Sequence, residues 1–339
     1  MKSIARLLLL AVAPLCAWAD PAGDAANRAF AQALAESQGG GGAFSPRMQR
    51  LIGWEGSAVR SLSPAERLSR LIEAHWAWSQ QVQPEDATFT GFPGQNGRWS
   101  DLSFEALATR QSLEREFLSA LQAINEEELL PEQRLNLALL RYAAEQTVAG
   151  HAFPAELMPV NQMFGLQTWV ASVLNAQPLF SAADRADFLS RLKGLPLLFS
   201  QMRSLLAKGL EAGVTPPQIT LQKVPPQFLD LAPEDGRASP LLQSFQRLPG
   251  DLSATEREAF EQQALALYQA ELRPAVLAAA VYVRDVYLPG AVRATGLSQL
   301  PDGKAWYAHN AAVMTTTDLS PEQIHQIGLD EVERISAEI

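Results

Sequence analysis

The helical character of this chain is clearest in residues 253–272, which read SATEREAFEQQALALYQAEL. Ser253 and Glu256 stand three residues apart, ahead of an apolar-periodic run, and this is the pattern of a capping box at a helix start. The apolar positions that follow are spaced at close to 3.6 residues: Phe260, Ala264, Tyr268 and Leu272. The stretch therefore predicts a long helix. Pro274 should kink or divide it, and Pro289-Gly290 should end it.

Three further segments repeat this helix-start pattern. They are Ser63-Pro64-Ala65-Glu66, Ser181-Ala182-Ala183-Asp184 and Ser320-Pro321-Glu322-Gln323. Each precedes an apolar-periodic stretch, and two carry proline at the first helical position, where no amide donor is needed. We expect an all-α fold, a multi-helix array.

One irregular, proline-rich stretch interrupts this array at residues 213–230. It contains Pro216, Pro217, Pro225 and Pro226, so it cannot form a long helix. The alternatives are an ordered loop or a short edge strand.

The N-terminus has the three regions of a secretory signal peptide. Lys2 and Arg6 are positive, residues 7–15 are apolar, and Ala17-Trp18-Ala19 forms a cleavage signal before Asp20. We expect cleavage near Ala19 and a periplasmic or secreted protein. Lipidation at Cys16 is the alternative, although Leu15 before it fits that signal poorly.

Beyond the signal peptide of residues 1–19, we expect a flexible leader over residues 20–60 and a helical region over residues 61–339. The leader contains a weak Ala-rich helix and then four glycines, residues 39–42, which are costly in a helix. The net charge of −10 disfavours nucleic acid as a partner. No segment of the mature chain is expected to span a membrane.

Local spacing assembles no metal site. The four histidines are His75, His151, His309 and His325, and none has another within a helical turn. A serine hydrolase using Ser190 and Lys193 is a further option, because Ser190-Arg191-Leu192-Lys193 matches Ser-x-x-Lys. Its companion motifs are missing. We interpret Lys193 as a cation at a helix C-terminus, just before Gly194.

A different kind of segment follows Gly296. Residues 296–307 read GLSQLPDGKAWY, in which Pro-Asp-Gly predicts a turn before an aromatic stretch. Tyr307, His309, Thr315, Thr316 and Thr317 could line a pocket. The alternative, favoured by spacing alone, is that the threonines satisfy a loop and cap the next helix.

This segment and the one after it, TTTDLSPEQIHQIGLDEV at residues 315–332, closely resemble the bacterial DUF885 family. Supporting stretches are residues 84–88 (PEDAT), 101–103 (DLS), 159–163 (PVNQM) and 213–217 (GVTPP). The resemblance spans about residues 68–339.

The resemblance implies an exported, helical protein related to zinc metallopeptidases, with a peptide substrate. It also implies a His-Glu-x-x-Pro-Gly-His motif further along the chain, which this sequence lacks. We therefore expect the N-terminal half of a metal-dependent hydrolase, inactive alone and without cofactor. Its Tyr307, His309 and three threonines would face the substrate cleft. The alternative is a non-catalytic exported protein that binds peptides or partners.

Overall fold

The computed structural model describes residues 20–37 and 62–339, and in these residues the chain is 75% helical with no strand. The all-α prediction is confirmed. The signal peptide predicted for residues 1–19 and the glycine run lie outside the described residues. The helices are α1 (Pro21–Ser37), α2 (Pro64–Val82), α3 (Pro84–Thr90), α4 (Phe104–Gln122), α5 (Pro131–Gly150), α6 (Leu166–Ala176), α7 (Ala182–Ala212), α8 (Gln218–Leu221), α9 (Val224–Asp230), α10 (Ala254–Gly290), α11 (Gly303–Thr315) and α12 (Pro321–Glu338).

All four predicted capping boxes form at helix starts. Ser63, Ser181, Ser253 and Ser320 each accept a hydrogen bond from the amide three residues on, and the side chain at that position reaches back. They begin α2, α7, α10 and α12, so these short patterns predicted the helix starts correctly.

The proline-rich stretch begins with a loop at residues 214–217, as one alternative predicted, and continues as two short helices, α8 and α9. α7 ends at Ala212, and Gly213 caps it with a φ of 69°. Pro225 and Pro226 lie in the first turn of α9, where their missing amides cost nothing. The edge-strand alternative is therefore wrong.

α10 runs through Pro274 rather than dividing there. Two π-helical turns interrupt it, Tyr268–Leu272 and Val283–Tyr287, and each closes one residue before a proline. The amide of Arg273 donates to the carbonyl of Tyr268, and that of Leu288 donates to Val283, both five residues back. A π turn widens the backbone just where proline would clash. The predicted end at Pro289-Gly290 is confirmed.

α7 is also longer than the sequence suggested, because it continues through Gly194 and Pro196 to Ala212. Lys193 is consequently an exposed residue inside the helix, and its interpretation as a C-terminal cation is wrong. Glycine is required at position 194 by packing, since a Cβ there would lie 2.9 Å from Cδ1 of Trp99.

Two large apolar cores organise the molecule. The first lies among α1, α2, α4 and α5, and the second surrounds α7 and α10, with side chains from α6 and α9. α1 buries Phe30 and Leu34 in the first core. The Ala-rich helix predicted within the leader is thus a packed element, while the rest of the leader, residues 38–60, is outside the described residues.

A buried arginine connects the two groups of helices. Arg191 of α7 is fully buried, and its guanidinium lies 5.3 Å from the ring of Trp99. It donates five hydrogen bonds of 2.7–3.3 Å, to the carbonyls of Pro84, Gln95 and Arg98 and to the side chains of Thr88 and Gln177. Burial lowers the pKa of Arg191 to about 10, against the opposing effect of Glu85, so the side chain stays charged at neutral pH.

Among the described residues, one helix, α10, is long and apolar enough to cross a membrane by length and composition alone. α10 also supplies much of the second core, including Tyr268, Val276 and Tyr287. The expectation that no segment spans a membrane stays a prediction.

Replacing Arg191 by methionine should destabilise the fold by about 3 kcal/mol or more, because buried oxygens would lose their donors. Chemical denaturation measures the change. Lys193→Met is the matched control on the same helix, and its effect should stay within about 0.5 kcal/mol because Lys193 is exposed. Equal effects of the two substitutions would contradict the role given to Arg191.

His75 should make the stability depend on pH. Its ring stacks on Phe117 at a centroid distance of 4.3 Å, and burial lowers the pKa of His75 below its ordinary value of 6.5. As the pH falls below about 6.5, the unfolded chain binds a proton that the folded chain excludes, so stability is lost. Thermal melts between pH 8 and 5 should show a smaller decline for His75→Phe than for the unmodified protein. Parallel declines would refute this assignment.

Candidate functional site

Tyr307 and His309, the predicted site residues within the body of α11, have different surroundings. Tyr307 is 53% exposed, whereas its neighbour Trp306 is buried and stacks on Phe153 at 5.7 Å. The ring of His309 lies 5.3 Å from that of Phe153. His309 thus packs beside the aromatic pair that attaches α11 to the loop after α5.

The three threonines form a local turn between α11 and α12. The Thr315 hydroxyl donates to the carbonyl of Ala311 at 2.8 Å and lies 2.9 Å from the Thr317 hydroxyl. Thr316 ends α11 with a φ of 55°, and the Thr317 hydroxyl accepts from the amide of Leu319. This arrangement matches the loop interpretation of the sequence. Contact of these residues with a substrate stays a prediction.

The described residues do not fit the zinc ion that the family resemblance implies. They contain no group of three or more His, Cys, Asp or Glu side chains that could hold a metal. His75 is stacked among aromatic rings, and Nε2 of His151 pairs with Glu114 at 2.7 Å. His309 packs on Phe153, and His325 is exposed on α12.

Ser190 and Lys193 are both exposed positions within α7. A serine nucleophile needs a base and an oxyanion site assembled around it. The position of this pair inside an uninterrupted helix offers no strained turn of the kind that presents such a nucleophile.

A cavity of about 430 Å³ lies where three separate segments meet, and its volume is typical of ligand pockets. Residues 155–162 form one wall, residues 215–220 the second and residues 292–300 the third. None of the lining residues is charged. The polar ones are Asn161, Gln162, Thr215, Thr220 and Thr295. We call this cavity the polar cleft.

Hydrogen bonds between the segments position two walls of the polar cleft. The Thr215 hydroxyl accepts from the amide of Val292 at 2.9 Å, and the amide of Gln218 donates to the carbonyl of Val292 at 2.8 Å. The backbone amide and the backbone carbonyl of Val292 therefore both join the third wall to the second.

Two glutamines form hydrogen bonds to the backbone of the first wall. Gln167 of α6 donates to the carbonyl of Asn161 at 2.6 Å, and Gln227 of α9 donates to that of Gln162 at 3.0 Å. The two glutamine side chains also bond to each other at 3.0 Å. The side chains of Asn161 and Gln162 line the cleft.

A larger hollow, of about 710 Å³, lies between α1 and α2. It is open to solvent, and Leu62 is among its lining residues. It contains none of the predicted site residues and none of the family-patterned stretches, so we do not treat it as the functional site.

The polar cleft was not predicted as a site, although its components were visible in the sequence. Residues 159–163 and 213–217 had been noted only as supporting family patterns, and Gly296 begins the specific one. All three contribute lining residues to the same cavity. The signal that could have found the site is this convergence, which depends on the tertiary fold.

Comparison with known proteins agrees with this pattern. The family model described as "Bacterial protein of unknown function (DUF885)" matches residues 84–339. The chain belongs to the DUF885 family. All three walls of the polar cleft lie within the matched residues. Among curated proteins, the sequence has no significant match.

One solved structure has a similar fold, that of "the putative lipoprotein from Colwellia psychrerythraea". The TM-score is 0.71 at 20% sequence identity, and the match covers 82% of this DUF885 chain. It covers 50% of the other chain, so this chain spans about half the length of that protein. At this identity the likeness concerns the fold alone.

The first wall should tolerate no side chain at position 165. A Cβ on Gly165 would lie 2.4 Å from Oε1 of Gln167 and 3.0 Å from Cα of Val160. Gly165→Ala should therefore cost about 1–3 kcal/mol in unfolding free energy. Gly250→Ala is the control, because a Cβ there meets nothing within 4 Å. Equal stability of the two variants would show that this turn is not closely packed.

Proposed function

We propose that this chain forms the peptide-binding part of an exported, peptidase-like, metal-dependent hydrolase. The observation that carries the proposal is the polar cleft, an uncharged cavity in which amides and hydroxyls from three family-patterned segments stand among apolar side chains. Its chemistry matches an uncharged peptide backbone better than an ion.

A peptide backbone presents one donor and one acceptor at each residue, apart from proline. The Asn161 amide group can donate, Gln162 offers a donor and an acceptor in one side chain, and the exposed Thr295 hydroxyl can supply both. Met158, Leu297 and Leu300 add apolar contact area. A phosphate or nucleic acid would require positive charges, which the lining lacks.

In this proposal the metal is held by residues other than the described ones. The described residues do not fit zinc, and no step of hydrolysis is assigned to them. The kinship with zinc metallopeptidases that the DUF885 resemblance implies supports a metal-dependent activity.

Export rests on the N-terminal pattern of Lys2, Arg6, an apolar run and Ala17-Trp18-Ala19. The description of the related structure as a lipoprotein is compatible with that location and keeps lipidation at Cys16 as its alternative form. An exported hydrolase of this kind would meet extracytoplasmic peptides.

The rival function is a non-catalytic exported protein that binds peptides. It is favoured by the lack of a metal-binding group in the described residues. Zinc content and peptide hydrolysis, measured on the protein isolated from its native host, distinguish the two functions. Stoichiometric zinc together with peptide hydrolysis supports the hydrolase, whereas binding without zinc or hydrolysis supports the rival.

Peptide binding can be tested on the full chain with a pool of uncharged hexapeptides that are acetylated and amidated at their ends. We expect the unmodified protein to retain members of this pool in affinity selection with mass spectrometry. The double variant Asn161→Ala/Gln162→Ala should lower retention about tenfold, because each lost hydrogen bond is worth about 0.5–1.5 kcal/mol.

Gln326→Ala, at an exposed position of α12, is the matched control and should retain the pool normally. Tyr307→Phe tests the sequence-based hypothesis in the same assay, and reduced retention would support it. The proposal fails if the unmodified protein retains no peptide, or if the double variant retains as much as the control.

A further inference from the structure

Four large apolar side chains are exposed around the N-terminal end of α6. Met163 and Phe164 are 67% and 75% exposed, and Phe89 and Trp169 are 50% and 42% exposed. The rings of Phe89 and Trp169 lie 5.1 Å apart, and the amide of Trp169 donates to the carbonyl of Gly165 at 2.9 Å. We call these four residues the apolar shelf.

The segment that carries Met163, Phe164 and Trp169 is unusual for a surface, while Phe89 lies on α3 three residues after the exposed Asp86. Between Glu156 and Asp184 the sequence has no Asp, Glu, Lys or Arg, although 19% of the whole chain is charged. Clustered apolar exposure costs hydration free energy, and on natural proteins it marks surfaces that bind something.

The shelf is continuous with the polar cleft. Asn161 lines the cleft, and its Oδ1 accepts from the amides of Met163 and Phe164 at 2.9 and 2.8 Å. Gln167, two residues before Trp169, holds the carbonyl of Asn161. One side chain therefore links the cleft wall to the turn that carries Met163 and Phe164.

We propose that the apolar shelf binds a large apolar side chain, aromatic or long aliphatic, of the peptide whose backbone lies in the polar cleft. This inference rests on the proposed function and specifies which peptides the site prefers. A peptide that lies in the cleft and extends along residues 161–164 presents its next side chain to the shelf. Aromatic residues and Met are enriched at protein interfaces, and Trp often contributes much of the binding energy there.

The test compares two hexapeptide pools that differ only in containing one phenylalanine or one alanine. The unmodified protein should retain the phenylalanine pool about tenfold better. Phe164→Ala and Trp169→Ala should each reduce this preference to about twofold or less and leave retention of the alanine pool unchanged. Circular dichroism melts establish that both variants are folded, and Met163→Ala provides a third shelf variant.

Phe180→Ala is the matched control, because Phe180 is 76% exposed but follows the opposite end of α6. It should keep the full preference for phenylalanine. The inference alone is overturned if the unmodified protein binds peptides without preferring phenylalanine, or if the shelf variants keep the preference. If no peptide binds at all, the proposed function fails as well.

Two other occupants would also overturn the inference. Cosedimentation with phosphatidylcholine vesicles that is lost in Phe164→Ala would assign the shelf to a membrane surface. Dimerisation in analytical ultracentrifugation that is lost in the same variant would assign it to a second copy of the chain.

Discussion

The arrangement of the two helical groups depends on one buried cation. Without partners, a guanidinium in a protein interior would be strongly unfavourable. Arg191 is stabilised instead by five neutral oxygens, all but one of them in residues 84–98. The second part of this segment, after α3, is non-helical, so its position depends on contacts such as those with Arg191. α7 thereby fixes the connection between the first core and the second.

The opposite end of α7 supports the polar cleft. The amide of Val214 donates to the carbonyl of Gly209, and a Cβ on Gly209 would lie 2.8 Å from the carbonyl of Leu157. Residues 157 and 214 lie beside the first and second cleft walls. A single helix of 31 residues, about 45 Å long, thus anchors the junction of the cores near one end and the cleft at the other.

The sequence predicted helix starts well because a capping box is a local interaction, complete within four residues. The sequence predicted less well the features that depend on contacts between residues far apart in the chain. Lys193 and Gly194 resemble a helix end, yet α7 continues to Ala212, and Trp99 packs against Gly194. The sequence placed α1 in a flexible leader, although Phe30 and Leu34 pack in a core formed by residues far along the chain.

The site shows the same division between local and distant contacts. The threonines after α11 act locally, as their spacing favoured. Asn161, Thr215 and Gly296 are separated by tens of residues, and no local pattern relates them. Their sharing of one cavity follows from the way α6, α9 and α10 pack, which composition and periodicity do not encode.

The two π turns of α10 have a consequence for how this family can change over time. Each π turn accommodates one more residue than an α-helical turn of the same rise. Deleting one residue from either turn would therefore restore a plain α-helix and leave the residues after it at nearly the same angle around the helix axis, whereas a deletion from an α-helical turn would rotate them by about 100°. The third wall of the cleft begins two residues after α10 ends, so its orientation should survive a deletion at a π turn but not a deletion elsewhere in α10.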